Sequence, residues 1–126
     1  MINAEVKRID WCDEYSESAD EPAMLAMTAG IGEKGNDAAD NFQIVVCNPA
    51  WVAERISERS CIWPRGMLIV EKIDPEHIRK SLQMLADSFQ GSIDWTVFTE
   101  RMNRYLLWEF EDYNDFQGVI ELPRVS

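Results

Sequence analysis

The stretch "FQIVVCNPAWVAERISER", Phe42 to Arg59, changes its period in the middle. Phe42 to Cys47 is a short apolar run rich in β-branched residues, which is the composition of a strand. From Asn48 onward the apolar residues Trp51, Val52 and Ile56 fall on one side of a helix. Asn48 is a favoured N-cap, and Pro49 suits the first helical position, where its missing N–H costs nothing. A strand therefore runs directly into an amphipathic helix, and what flanks this step decides the fold class.

Upstream, "INAEVKRIDW" alternates Ile2, Ala4 and Val6 with Asn3, Glu5 and Lys7, the pattern of a half-buried strand. "CDEYSESADEP" is a dense acidic loop ending at Pro22, and "AMLAMTAGI" reads as a second strand. Downstream, "MLIVEKID", Met67 to Asp74, reads as the strongest strand in the chain. Asp74-Pro75 repeats the cap-then-proline signal and opens a helix through Ile78, Leu82, Leu85 and Phe89, which Gly91 stops. Asp94 or Ser92 caps a third helix carrying Trp95, Phe98, Met102, Tyr105 and Leu106, and "GVIEL" in the tail can add a short strand. Strands cluster early and helices late. The expectation is an α+β fold: one domain over residues 1–126, a mainly antiparallel sheet with helices packed on one face.

The chain carries 23 Asp and Glu against 12 Lys and Arg, a formal charge of −11. That field repels nucleic acid and anionic membranes, and it draws a basic partner toward the surface. Cys12, Cys47 and Cys61 are odd in number and form no C-x-x-C pair, so no disulfide framework is expected. Cys47 closes an apolar run and reads as a small hydrophobe. The N-terminus alternates and lacks the apolar stretch of a signal peptide, which points to the cytoplasm.

"GIGEKG" places Gly30, Gly32 and Gly35 at the spacing of a dinucleotide fingerprint. A phosphate site needs a helix immediately after the glycines. Here "NDAADN" and then a strand follow, and Asp37 and Asp40 would repel phosphate, so the stretch reads as a hairpin loop. The single histidine, His77, sits in the first turn of a helix and reads as a surface residue; a hydrolase pairing it with Cys61 is only a formal alternative. One histidine and three scattered cysteines do not make a zinc site. "DYNDFQG" opens like a calcium loop at Asp112 and Asn114, but Phe116, Gln117 and Pro123 stand where a ligand, a glycine and a closing glutamate are required. No catalytic residues, metal ligands or cofactor are expected.

Trp51 and Trp95 lie on helical apolar faces and read as core. Trp63, in "CIWPRG" ahead of a strand, either folds back over the core or anchors a partner. In "LWEFEDYNDF", Leu107 to Phe116, the aromatics Trp108, Phe110 and Tyr113 can pack inward while Glu109, Glu111, Asp112 and Asp115 point outward. With Asp37 and Asp40 on the hairpin, and Trp63, these four acids are the candidate partner-binding residues.

Three stretches, "GIGEKG…DNFQIVVCNPAWVAE", "GMLIVEKIDPEHIRK" and "RYLLWEFEDY", in this order and spacing resemble the immunity protein 8 family of bacterial polymorphic toxin systems. The resemblance runs from about Gly30 to Tyr113, and "WEFEDY" and "VCNPAWV" are its most specific parts. It implies a small non-catalytic α+β protein that binds and neutralises a cognate toxin domain. The acidic charge makes a basic nuclease the kind of toxin expected. Trp51, Trp108 and Tyr113 match its motif, and Gly66 stands where members often carry a histidine. The rival reading is an acidic secretion chaperone that grips an extended effector segment.

Overall fold

The computed structural model describes residues 2–11 and 18–109. The chain order is β1 (Ala4–Trp11), β2 (Met24–Glu33), β3 (Asp40–Cys47), α1 (Pro49–Arg59), β4 (Met67–Ile69), α2 (Pro75–Asp87), α3 (Trp95–Met102) and β5 (Leu107–Trp108). The five strands form one sheet in the order β1-β2-β3-β4, with β5 also on β3. The β1–β2, β2–β3 and β3–β5 pairs are antiparallel, and β4 runs parallel to β3. The fold is a single small α+β domain with a mixed sheet.

One face of the sheet builds the core. Leu25, Met27, Ala29 and Ile31 of β2 alternate inward beside Phe42, Ile44 and Val46 of β3. Ile78, Leu82 and Ala86 of α2, with Phe98 and Met102 of α3, close over them. Both helices carry the expected caps. Asp74 accepts from Glu76 N at 3.1 Å, and Asp94, rather than Ser92, accepts from Val97 N at 2.9 Å.

α1 contributes no buried residue. Trp51 is half-buried with the Arg55 guanidinium 5.3 Å over its ring, and Trp95 packs at the margin of the core, so neither is the fully enclosed residue its helical face implied. "MLIVEKID" pairs over only three residues, Met67–Ile69, after which Val70 and Ile73 enter the core. Leu107–Trp108 forms a short strand antiparallel to β3. The possible strand at "GVIEL" lies outside the described residues.

Asn48 is a fully buried polar junction at the end of β3. Its Oδ1 accepts from Trp51 N and from Ala23 N, both at 3.0 Å. Its Nδ2 donates to Glu21 O at 2.6 Å and to Ser18 O at 3.2 Å. One amide thus caps α1 and pins the chain entering β2. Replacing Asn48 with Ala should lower stability by about 2–4 kcal/mol in denaturant titration, the sum of a lost cap and stranded buried groups. Asn48→Ser restores the cap alone and should recover about 1 kcal/mol.

Over Ala4–Val6 the outer edge of β1 is occupied by side chains of and just after α2. Ala4 N donates to Gln90 Oε1 and Val6 N to Gln83 Oε1, both at 2.9 Å. Both glutamine amides donate back to Ala4 O at 3.1 Å, and Arg79 donates to Val6 O. Asp87 Oδ1 accepts from both glutamines and so holds them in place, at 2.9 and 3.0 Å. Over these residues the edge is not available to template another chain. The two glutamine hydrogen bonds lower the Asp87 pKa from its ordinary 3.8. A depressed carboxylate stabilises the fold above its unfolded value, and that contribution is lost as pH falls below 3.8 through the folded value. Amide exchange at Ala4 and Val6 should therefore quicken relative to β2 in that acid range, and Asp87→Ala should quicken it at neutral pH.

Candidate functional site

The glycines of "GIGEKG" serve packing. Gly30 and Gly32 lie within β2, and residues 34–39 form the loop that returns the chain antiparallel into β3. No helix follows. A β-carbon on Gly30 would stand 2.6 Å from Arg8 Nη1, so this glycine lets Arg8 lie across the sheet. At Gly32 a β-carbon would collide with the carbonyl of Ala38, whose loop folds back on the strand. The Lys7 ammonium donates to Asn36 O and holds that loop down.

The cross-sheet line from Arg8 continues. Arg8 pairs with Gly30, Gly30 with Asn41, and Arg8 Nη2 donates to Asn41 Oδ1. Asn41 N donates to Glu109 Oε1 at 2.7 Å, its Nδ2 reaches Glu109 Oε2 at 3.3 Å, and Glu109 N donates to Asn41 O at 2.9 Å. Glu109 is exposed, and this polar row fixes its carboxylate beside the start of β3.

Asp40, next to it, is half-buried and structurally engaged. Its Oδ2 accepts from Trp95 Nε1 at 2.8 Å and from Trp108 Nε1 at 3.0 Å, tying α3 and β5 to β3. Asp37 is exposed in the hairpin loop. Of the candidate acids, Asp37, Asp40 and Glu109 therefore gather at one end of the sheet. Glu111, Asp112 and Asp115 lie outside the described residues, as do Phe110, Tyr113 and Cys12. Trp63 does not fold back: it is 58% exposed on the segment leading into β4.

The chemistry available elsewhere is sparse. Cys47 is buried, and loss of hydration pushes its thiol up to about 11, so it stays protonated. Cys61 and His77 are both exposed, and no hydrogen bond joins them. Among the described residues no group of three His, Cys, Asp or Glu side chains is placed to hold a metal ion. Nor is any described helix long and apolar enough to cross a membrane.

A protein-family model, Immunity protein 8, matches residues 3–113. The chain belongs to the immunity protein 8 family. No curated protein and no solved structure matches it. For an immunity protein 8 member the family name points to a cognate toxin as partner.

Sequence reading missed the polar row and the double grip on Asp40, since both join residues far apart in the chain. A signal for the row existed in glycine at position 30, where a strand residue with a side chain would be expected. Asp40→Ala should cost about 1–3 kcal/mol in denaturant titration through two lost indole bonds. Asp40→Asn keeps an acceptor for both and should stay within about 1 kcal/mol of the parent.

Proposed function

We propose that this protein neutralises a toxin domain encoded beside it by binding that domain and covering its active or substrate-binding site. The family match over residues 3–113 carries this reading. The physical features agree with it. A charge of −11 raises the encounter rate with a cationic surface and disfavours nucleic acid itself as the ligand. An acidic face can occupy a nuclease's basic groove as the phosphates of its substrate would, with no chemical step of its own.

In this reading Asp37 and Glu109 contact the toxin together with Glu111, Asp112 and Asp115. Asp40 supplies charge from behind, since its Oδ2 is committed to two indoles. Trp63 offers a large apolar side chain of the type that dominates binding energy at interfaces. The protein would act in the cytoplasm of the producing cell, without catalysis.

The test begins with survival. The C-terminal domain of the product of the gene immediately upstream is expressed in a naive bacterium, with and without this protein. Killing that co-expression relieves establishes immunity; killing without relief overturns it for this pair. If the upstream domain is harmless and the protein instead captures an extended effector segment, the secretion-chaperone reading replaces immunity. With binding in hand, the triple reversal Asp37→Lys, Glu111→Lys, Asp112→Lys should weaken affinity about tenfold or more and flatten its salt dependence. Unchanged affinity would reject the acidic face.

A further inference from the structure

A notch of about 200 Å³ opens between the β2–β3 hairpin and the start of α3. Its walls are Glu33 at the end of β2, Asn36 and Ala39 of the returning loop, Asp40 at the start of β3, and Trp95. Glu33 and Asp40 continue the inward alternation of their strands, next after Ile31 and next before Phe42. Those two apolar residues are fully buried, so the notch lies at the mouth of the core.

The walls combine an indole with unspent carboxylate oxygens. Glu33 is exposed, and among the described residues its carboxylate takes part in no hydrogen bond or ion pair. Asp40 commits Oδ2 to the indoles of Trp95 and Trp108, and its Oδ1 is bonded to no described residue. Trp95 is fixed in advance: its ring stacks on Phe98 with centroids 4.9 Å apart, and its N–H is held by Asp40. No described cation lines the notch. Nearby, the Lys7 ammonium is turned to Asn36 O and Glu5, and the Asp94 cap offsets the partial positive charge at the start of α3.

We propose that this notch receives one arginine side chain of the toxin domain, its guanidinium lying against Trp95 and paired to Glu33. The proposal deepens the immunity reading above and rests on it. A planar guanidinium can stack on an indole while its N–H fork donates to carboxylate oxygens on either side. A lysine ammonium brings the charge without the plane or the fork. A metal ion does not fit, because no three ligating side chains gather here among the described residues. The volume admits a single side chain, and one arginine seated in a preformed pocket is a common form of interface hot spot. Glu33 thereby joins the partner-binding residues, a role that its sequence neighbours do not signal.

The first arm of the test needs no toxin. N-acetylarginine amide is titrated into the full chain while the Trp95 indole N–H resonance is followed by NMR, with the neutral citrulline analogue as control. Arginine should shift that resonance saturably, citrulline should not, and Glu33→Gln should weaken the arginine response about fivefold or more. No saturable shift, or an equal one from citrulline, overturns the notch as a cation site. An equal response to the lysine analogue overturns the choice of arginine. The second arm measures binding to a catalytically inactivated toxin domain from the upstream gene. Glu33→Gln should weaken it about tenfold or more, mainly through faster dissociation, with the melting temperature unchanged. Affinity within about twofold of the parent, or a lowered melting temperature, overturns the toxin's arginine as occupant while leaving immunity standing. If the parent chain does not bind the domain, the immunity reading fails for this pair and the assigned occupant fails with it.

Discussion

The backbone of β3 has a partner along both of its edges, and every other element is placed relative to it. β2 pairs with its whole length on one side, while β4 and β5 share the other, over Val45–Cys47 and Phe42–Gln43 respectively. Its side chains are used as fully. Phe42, Ile44 and Val46 enter the core, and Val45 and Cys47 are buried on the opposite face. A strand buried on both faces needs an unbroken apolar run, which is what "IVVC" provides. The polar groups that end it are then obliged to be satisfied internally. Asn48 meets that demand by bonding four backbone groups with one amide.

The surroundings of the sheet differ from side to side. One edge is occupied at its start: the amides of Gln83 and Gln90 bond the β1 backbone at Ala4 and Val6. The core face is covered by α2 and α3. On the opposite face the hairpin end is polar, with Arg8, Asn41 and Glu109, while Val45 and Cys47 toward the other end of β3 are buried.

The acidic residues do not all do the same work. Asp40 and Asp87 hold structure together, the first between two indoles and the second between two glutamines. Glu109 is anchored to Asn41 yet keeps its carboxylate at the surface. Asp37 is exposed in its loop. Counting carboxylates on a sequence merges these roles, and only their hydrogen-bond partners separate them.

Read alone, the sequence determined the α+β class, the period change at Asn48, the cap at Asp74 and the presence of a hairpin between the second and third strands, though Gly30–Glu33 of "GIGEKG" proved to be strand rather than loop. Each is a local matter of spacing or of one side chain's reach to a neighbouring N–H. It also contained a signal that alternation alone obscures. The inward residues of β1 are Ala4 and Val6 and then Ile9 and Trp11, a parity shift that the structure realises as a bulge at Lys7. The tertiary structure alone decided that β4 pairs in parallel over three residues, that Leu107–Trp108 joins the sheet, and that Trp63 stays in solvent. It alone brought Met24 and Ile69 to either side of Cys47. Those outcomes depend on contacts between residues distant in the chain, where the choice of partner is made by core packing and strand register rather than by any residue's own preference.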